Sequence, residues 1–166
     1  MTHPTLQLLD RYRSRGVLVD TNILLLYFVG CFDQERIARF KRTLMFTVED
    51  YELLRRLLHR FDRIVTTPSV LSEVNSLSGQ MGQPAKTAYF EQFARGIDTL
   101  DEQYVASATV CQTEPFPKLG LTDSGIIYLA RNNYLVLTDD LALSGILEKT
   151  GIDVLNFNHI RVLAWS

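Results

Sequence analysis

Two stretches of this chain share one build: a short, wholly apolar run that ends in an acid and gives way at once to a helical pattern. The first is Gly16-Val17-Leu18-Val19-Asp20-Thr21-Asn22, followed by the apolar residues 23–29. The second is Tyr134-Leu135-Val136-Leu137-Thr138-Asp139-Asp140. A strand that is apolar on both of its faces must be covered on both, which is the situation of strands in a parallel sheet. The two units therefore predict an α/β fold. They also put Asp20 and Asp140 at the carboxyl edge of its sheet, where open α/β sheets take their ligands.

The rest of the chain alternates in the same way. A short helix is expected over 5–12, strand one over 17–19, and helices from Asn22 to Phe40 interrupted near Gly30 and Cys31. Tyr51, Leu54, Leu58 and Phe61 recur at spacings of three and four, which predicts a helix over 48–59. Ile64-Val65-Thr66 reads as strand two; Thr67-Pro68 then supplies a cap and a first-turn proline for a helix over 69–77. Residues 78–84 read as a loop, 85–95 and 100–110 as helices, and 113–118 as a proline-punctuated connector. A helix over 122–132, a strand over 135–137, a helix over 140–149 and a strand over 153–155 complete the pattern. Strands alternating with long helical stretches predict a central parallel sheet of four to five strands between helical layers, a three-layer α/β/α sandwich.

With 166 residues and 46% hydrophobic content, one substantial core is expected, hence a single domain spanning 1–166. The longest wholly apolar run, Ile23 to Val29, is far short of the ~20 residues that cross a bilayer. The amino terminus has no basic region followed by an apolar signal core. The expectation is a cytoplasmic protein with no membrane partner. Cys31 and Cys111 have no second Cys or His at ligand spacing beside them, so buried free thiols are expected rather than a zinc site or a disulfide.

Two further acids join the pair at the strand ends: Glu73 in the helix after strand two, and Asp123 at the start of the helix before strand four. Taken singly, Asp123 and Asp140 are explained by capping, because a carboxylate at a helix start satisfies free amides and complements the dipole. Glu73 lies beyond the first turn of its helix, where capping does not reach. Asp20, at the end of a central strand, would be costly without a cation or several donors. The combination is what points to chemistry. Four acids delivered from different βα units to one sheet edge repel one another unless a hard cation holds them, and Mg²⁺ and Mn²⁺ prefer carboxylate and water ligands. Such a site suits phosphodiester hydrolysis without a covalent nucleophile.

Charge is uneven along the chain: residues 1–63 carry 11 Lys/Arg against 8 Asp/Glu, and residues 64–166 carry 6 against 11. Arg36, Arg39, Arg42, Arg55 and Arg56 fall in the basic half, where two readings stand side by side. They would contact RNA phosphates, or they would form a solvated helix face paired with Glu35, Glu49, Asp50 and Glu52. Tyr51, Tyr89, Phe90, Phe93 and Tyr104 are read as core residues before stacking platforms.

In order along the chain, Val17-Leu18-Val19-Asp20-Thr21-Asn22, Pro68-Ser69-Val70-Leu71-Ser72-Glu73, Leu121-Thr122-Asp123-Ser124-Gly125 and Leu137-Thr138-Asp139-Asp140 resemble the motifs of PIN-domain nucleases. The resemblance spans about residues 17–156. It implies a PIN-like sheet and a metal-dependent ribonuclease with Asp20, Glu73, Asp123 and Asp140 as the Mg²⁺- or Mn²⁺-binding quartet. Asn22 and Thr138 would orient the site. Thr138-Asp139-Asp140 offers two adjacent acids, and the family's spacing favours Asp140 over Asp139. Many small members are toxins of bacterial toxin–antitoxin pairs, which extends the expected partners to RNA, an antitoxin protein and a second copy of the chain. Relative to compact members, additional helices are expected in about 30–63 and 79–118. The alternative is a PIN-like module that binds protein or RNA without cutting it.

Overall fold

The computed structural model describes residues 3–131 and 133–165. Its elements are α1 (His3–Tyr12), β1 (Val17–Val19), α2 (Thr21–Phe32), α3 (Val48–Leu58), β2 (Ile64–Thr66), α4 (Pro68–Ser78), α5 (Ala85–Ile97), β3 (Asp101–Glu102), α6 (Ser107–Val110), α7 (Phe116–Ala130), β4 (Leu135–Thr138), α8 (Leu141–Lys149), β5 (Val154–Asn156) and α9 (Phe157–Trp165). A single 3-10 turn, Gln34–Arg36, follows α2.

The five strands form one all-parallel sheet in the order β3-β2-β1-β4-β5. β1 and β4 lie side by side at its centre, with Val17, Leu18 and Val19 facing Leu135, Val136 and Leu137. Every residue of both strands is buried, as their apolar composition requires. From β1 the chain steps outward to β2 and β3, then crosses back to β4 and steps the other way to β5. Because parallel crossovers are right-handed, the helices after β1 and those after β4 lie on opposite faces. The strand order thus reverses between β1 and β4, and the crevice outside their carboxyl ends is the switch point of the fold. Asp20 and Thr138-Asp139-Asp140 end the two strands that frame it.

One hydrophobic cluster runs from Leu9 of α1 to Ile160 of α9. α2 is its centre: Ile23, Leu24, Leu25, Leu26 and Val29 have no exposed surface. The helix is apolar all round because it is enclosed between β4 and the helices α3, α4 and α5.

Several expectations are corrected. α2 does not break at Gly30 and Cys31 but runs unbroken to Phe32. Gly30 is there for proximity, since a Cβ at this position would fall 2.2 Å from the Tyr51 ring of α3. The helix expected over 100–110 is instead the two-residue edge strand β3, an irregular segment and the short α6. The 113–118 connector is already helical from Phe116, and α7 is bent at Gly120, whose φ of 76° is open to glycine. The end assigned to that helix, Asn132, lies outside the described residues. α9 was not expected; Phe157 and Ile160 bury its inner side, and Phe157 meets Phe46 at 6.2 Å between ring centroids. Both cysteines are exposed rather than buried. Among the described residues no helix is long and apolar enough to cross a membrane.

Candidate active site: a carboxylate cluster at the switch point

Asp20 is placed by the sheet and held by β4. Its amide donates to the Leu137 carbonyl at 2.9 Å, and the Thr138 hydroxyl donates to its Oδ2 at 2.6 Å. Oδ1 accepts from the Thr21 amide at 2.6 Å, capping α2. The carboxyl is 6% exposed. Burial raises its pKa, the bonds from Thr138 and Thr21 pull it back, and the charges of Asp139 and Asp140 raise it again; it settles at about 6.

Glu73 comes from the second turn of α4 and is exposed. Two threonines hold it: Thr21 Oγ1 donates to Oε2 at 2.8 Å, and Thr122 Oγ1 donates to Oε1 at 2.5 Å. These hydroxyls tie the amino end of α2 and the part of α7 just past the Gly120 bend to α4. Asp123 lies three residues past the Gly120 bend, in the first turn of the second half of α7, and is half-buried. Burial lifts its pKa first, and the charges of Asp20, Asp140 and Glu73 add to the effect, bringing it to about 7. The structure therefore brings all four predicted acids within electrostatic reach of one another. Among the described residues, none of the four forms an ion pair with Lys, Arg or His.

The adjacent acids of β4 have divided roles. Asp140 is exposed and its Oδ1 caps α8, accepting from Ala142 N at 2.6 Å and Leu143 N at 3.0 Å. Asp139 is 7% exposed, and its Oδ1 is buried without a hydrogen-bond partner. Its pKa is raised by burial and by Asp140, against a hydrogen bond from Asn22 and the charge of Arg161. Thr138, wholly buried, donates to Asp20 and accepts from the Asp140 amide at 3.0 Å. Asn22 orients Asp139 rather than the quartet.

Sequence reasoning missed Thr21, Thr122 and Asn158. Asn158 Nδ2 donates to the Asp139 carbonyl at 2.8 Å, and its own amide is capped by Asn156. The available signal for the threonines was adjacency, since each directly flanks a quartet acid. Nothing in the sequence tied α9 to this edge. There, Arg161 pairs with buried Asp50 at 3.1 Å, donates to the Met45 carbonyl and lies over the Phe46 ring.

Four of the five arginines expected to contact RNA have partners within the chain, and Arg56 is exposed with no ion-pair partner among the described residues. Arg36 pairs with Asp33 and lies over Phe32, Arg39 pairs with Glu35, Arg55 pairs with Glu52, and Arg42 donates to Gln80. The ~18 Å rise of α2 also carries Arg36 and Arg39 away from Asp20. The pairs Arg39–Glu35 and Arg55–Glu52 are of the kind the solvated-face reading describes. Among the aromatics, Tyr51, Tyr89 and Phe93 are core as expected, but Tyr104 is 77% exposed.

The donor set suits a hard divalent cation: carboxylate and hydroxyl oxygens, one buried carboxylate oxygen with no partner, and burial, reinforced by neighbouring negative charge, that keeps protons on Asp20 and Asp123 toward neutral pH. Among the described residues, no three His, Cys, Asp or Glu side chains are drawn together tightly enough to form a ready cage. Compared with known proteins, the chain matches no family model, no curated protein and no solved structure.

Proposed function

We propose that this chain is a PIN-like, Mg²⁺- or Mn²⁺-dependent endoribonuclease of the cytoplasm. The observation that carries the reading is that four acids from four different βα units come within electrostatic reach of one another at the switch point, none with a basic partner among the described residues. An arrangement that buries two carboxylates and sets like charges beside them raises both pKa values and costs stability, and binding a cation is the function that recovers it. Asp20, Glu73, Asp123 and Asp140 would hold the cation, with Asp139 beside them. A divalent ion there supplies Lewis acidity toward a phosphate oxygen and lowers the pKa of water.

The chain's own residues set up the site. Thr138 and the Thr21 amide fix both oxygens of Asp20, so this carboxylate presents one orientation to the crevice. Thr21 and Thr122 spread the Glu73 carboxylate between α2 and α7. A role as the toxin of a toxin–antitoxin pair, with an antitoxin partner and a dimeric state, extends this proposal and rests on the resemblance alone.

One observation favours a second reading, a PIN-like module that binds without cutting: Asp20 and Asp140 already cap α2 and α8, which gives both a structural use. Cleavage of a mixed RNA pool by wild type and Asp20→Asn, with Mn²⁺, with Mg²⁺ and with chelator, decides between the two. The nuclease reading expects cutting that needs both the metal and Asp20. Cutting that survives either omission, or none by wild type in any metal, would sink it.

A further inference from the structure

Beyond the acids, α7 and α8 enclose a groove of about 840 Å³. Its walls follow from helical spacing. Ser124, Ile127, Tyr128 and Arg131 recur at three and four residues along α7, and Ile146, Lys149 and Thr150 do so along α8, so each set forms one face of its helix. Both helices pack on β4.

The chemistry of this groove differs from that of the arginine surface. Lys118, Arg131 and Lys149 line it, all exposed, and none has an ion-pair partner among the described residues; Glu114 is the one acid lining it. The Ser124 hydroxyl at its inner end is buried and has no hydrogen-bond partner. Tyr128 is 46% exposed on the same helix face. The Ser124 end is adjacent in sequence to Asp123, and the Arg131 end lies ~10 Å of helix rise farther along.

The geometry points to this groove as the track of a single-stranded nucleic acid backbone, with Lys118, Arg131 and Lys149 on phosphates and Tyr128 under a base. Unpaired cations beside an exposed aromatic are the recognition chemistry of single strands, and the cations are free here, whereas Arg36, Arg39 and Arg55 are not. The inference rests on the nuclease reading for where the strand leads: past Ser124 to the carboxylate cluster. An acidic polypeptide is the competing occupant, and the mixed polar and apolar walls with an aromatic at stacking height favour the nucleic acid.

The test is binding of a short fluorescein-labelled oligouridylate in chelator, so that no cutting is required, over a range of salt. Wild type is expected to bind, and the triple variant Lys118→Ala/Arg131→Ala/Lys149→Ala to bind at least roughly tenfold more weakly, with the slope of log K against log salt smaller by about 2. The charge-conserving variant Lys118→Arg/Arg131→Lys/Lys149→Arg should bind like wild type. Tyr128→Ala should weaken binding about tenfold with an unchanged salt slope. Equal affinity and slope for wild type and the triple variant would overturn the track. So would a wild type that does not bind the oligonucleotide at low salt, which would leave the groove to an acidic polypeptide. The two readings fail separately: binding through the three cations by a protein that never cuts removes the nuclease alone, and cutting by a protein whose binding ignores them removes the groove alone.

Discussion

The Asp20 carboxylate is pulled two ways, and the balance has a measurable sign. Its folded pKa of about 6 lies above the ordinary value of 3.8, and that of Asp123 is raised further, to about 7. The folded state therefore binds more protons than the unfolded state between these limits, so stability falls as pH rises from about 4 to about 7. For Asp20 the fall is on the order of 2–3 kcal/mol; Asp123, half open to solvent, adds less. In chelator, the unfolding temperature should thus be higher at about pH 5 than at about pH 7.5, and Asp20→Asn should flatten the difference. A rise in stability with pH over this window would contradict the assignment. Thr138→Val keeps the shape of the side chain but removes the donor to Asp20. It should weaken Mn²⁺ binding roughly tenfold, read by calorimetry, with the fold intact. These residue roles were only partly legible beforehand. Thr138 was readable because it sits in the same strand-end motif as the acids, whereas the use of Asn22 on Asp139 depends on how the α2 start faces β4.

At the level of the element, apolar runs and caps announced most of the architecture. Val17-Leu18-Val19 and Leu135-Val136-Leu137 could be little other than buried strands, and Thr67-Pro68 marks the start of α4 with both a side-chain cap and a first-turn proline. Where the signal was ambiguous, a partner elsewhere in the chain decided. Gly30 looks like a helix breaker in sequence, yet in the fold it is the notch that lets Tyr51 approach α2. Gly30→Ala should therefore destabilise the protein by about 1–3 kcal/mol through overpacking, although alanine is the better helix former. Denaturant unfolding measures this, and a stabilised Gly30→Ala would show that Tyr51 moves aside freely. β3 escaped notice because Asp101 and Glu102 carry no strand pattern at all; their place is fixed by pairing with β2 and by Arg63, which grips Asp101. α9 lies after the last recognised strand, and only its packing on Phe46 makes it part of the core.

For the whole molecule, the proposed quartet would link folding to metal. Each acid rides on a different element, and bringing them together is possible only in the complete fold, so a cation bound there stabilises the folded state as a whole. Mn²⁺ at about a hundred times its dissociation constant should add roughly 2.7 kcal/mol to wild-type stability, seen as a rise in unfolding temperature that Asp20→Asn and Asp123→Asn lack. An equal rise in all three proteins would place the ion elsewhere. The parallel sheet and its acid-bearing edge were readable from sequence because strand ends and helix starts are local. The groove between α7 and α8 was not, since it exists only where two helices from different units share β4. The acidic border strand β3 has a consequence for self-association. Two residues long, and both of them negatively charged, it is a poor template for another chain to add a strand. Copies of this protein that meet should not pair along this border, and fibrillar stacking there is disfavoured even at high concentration.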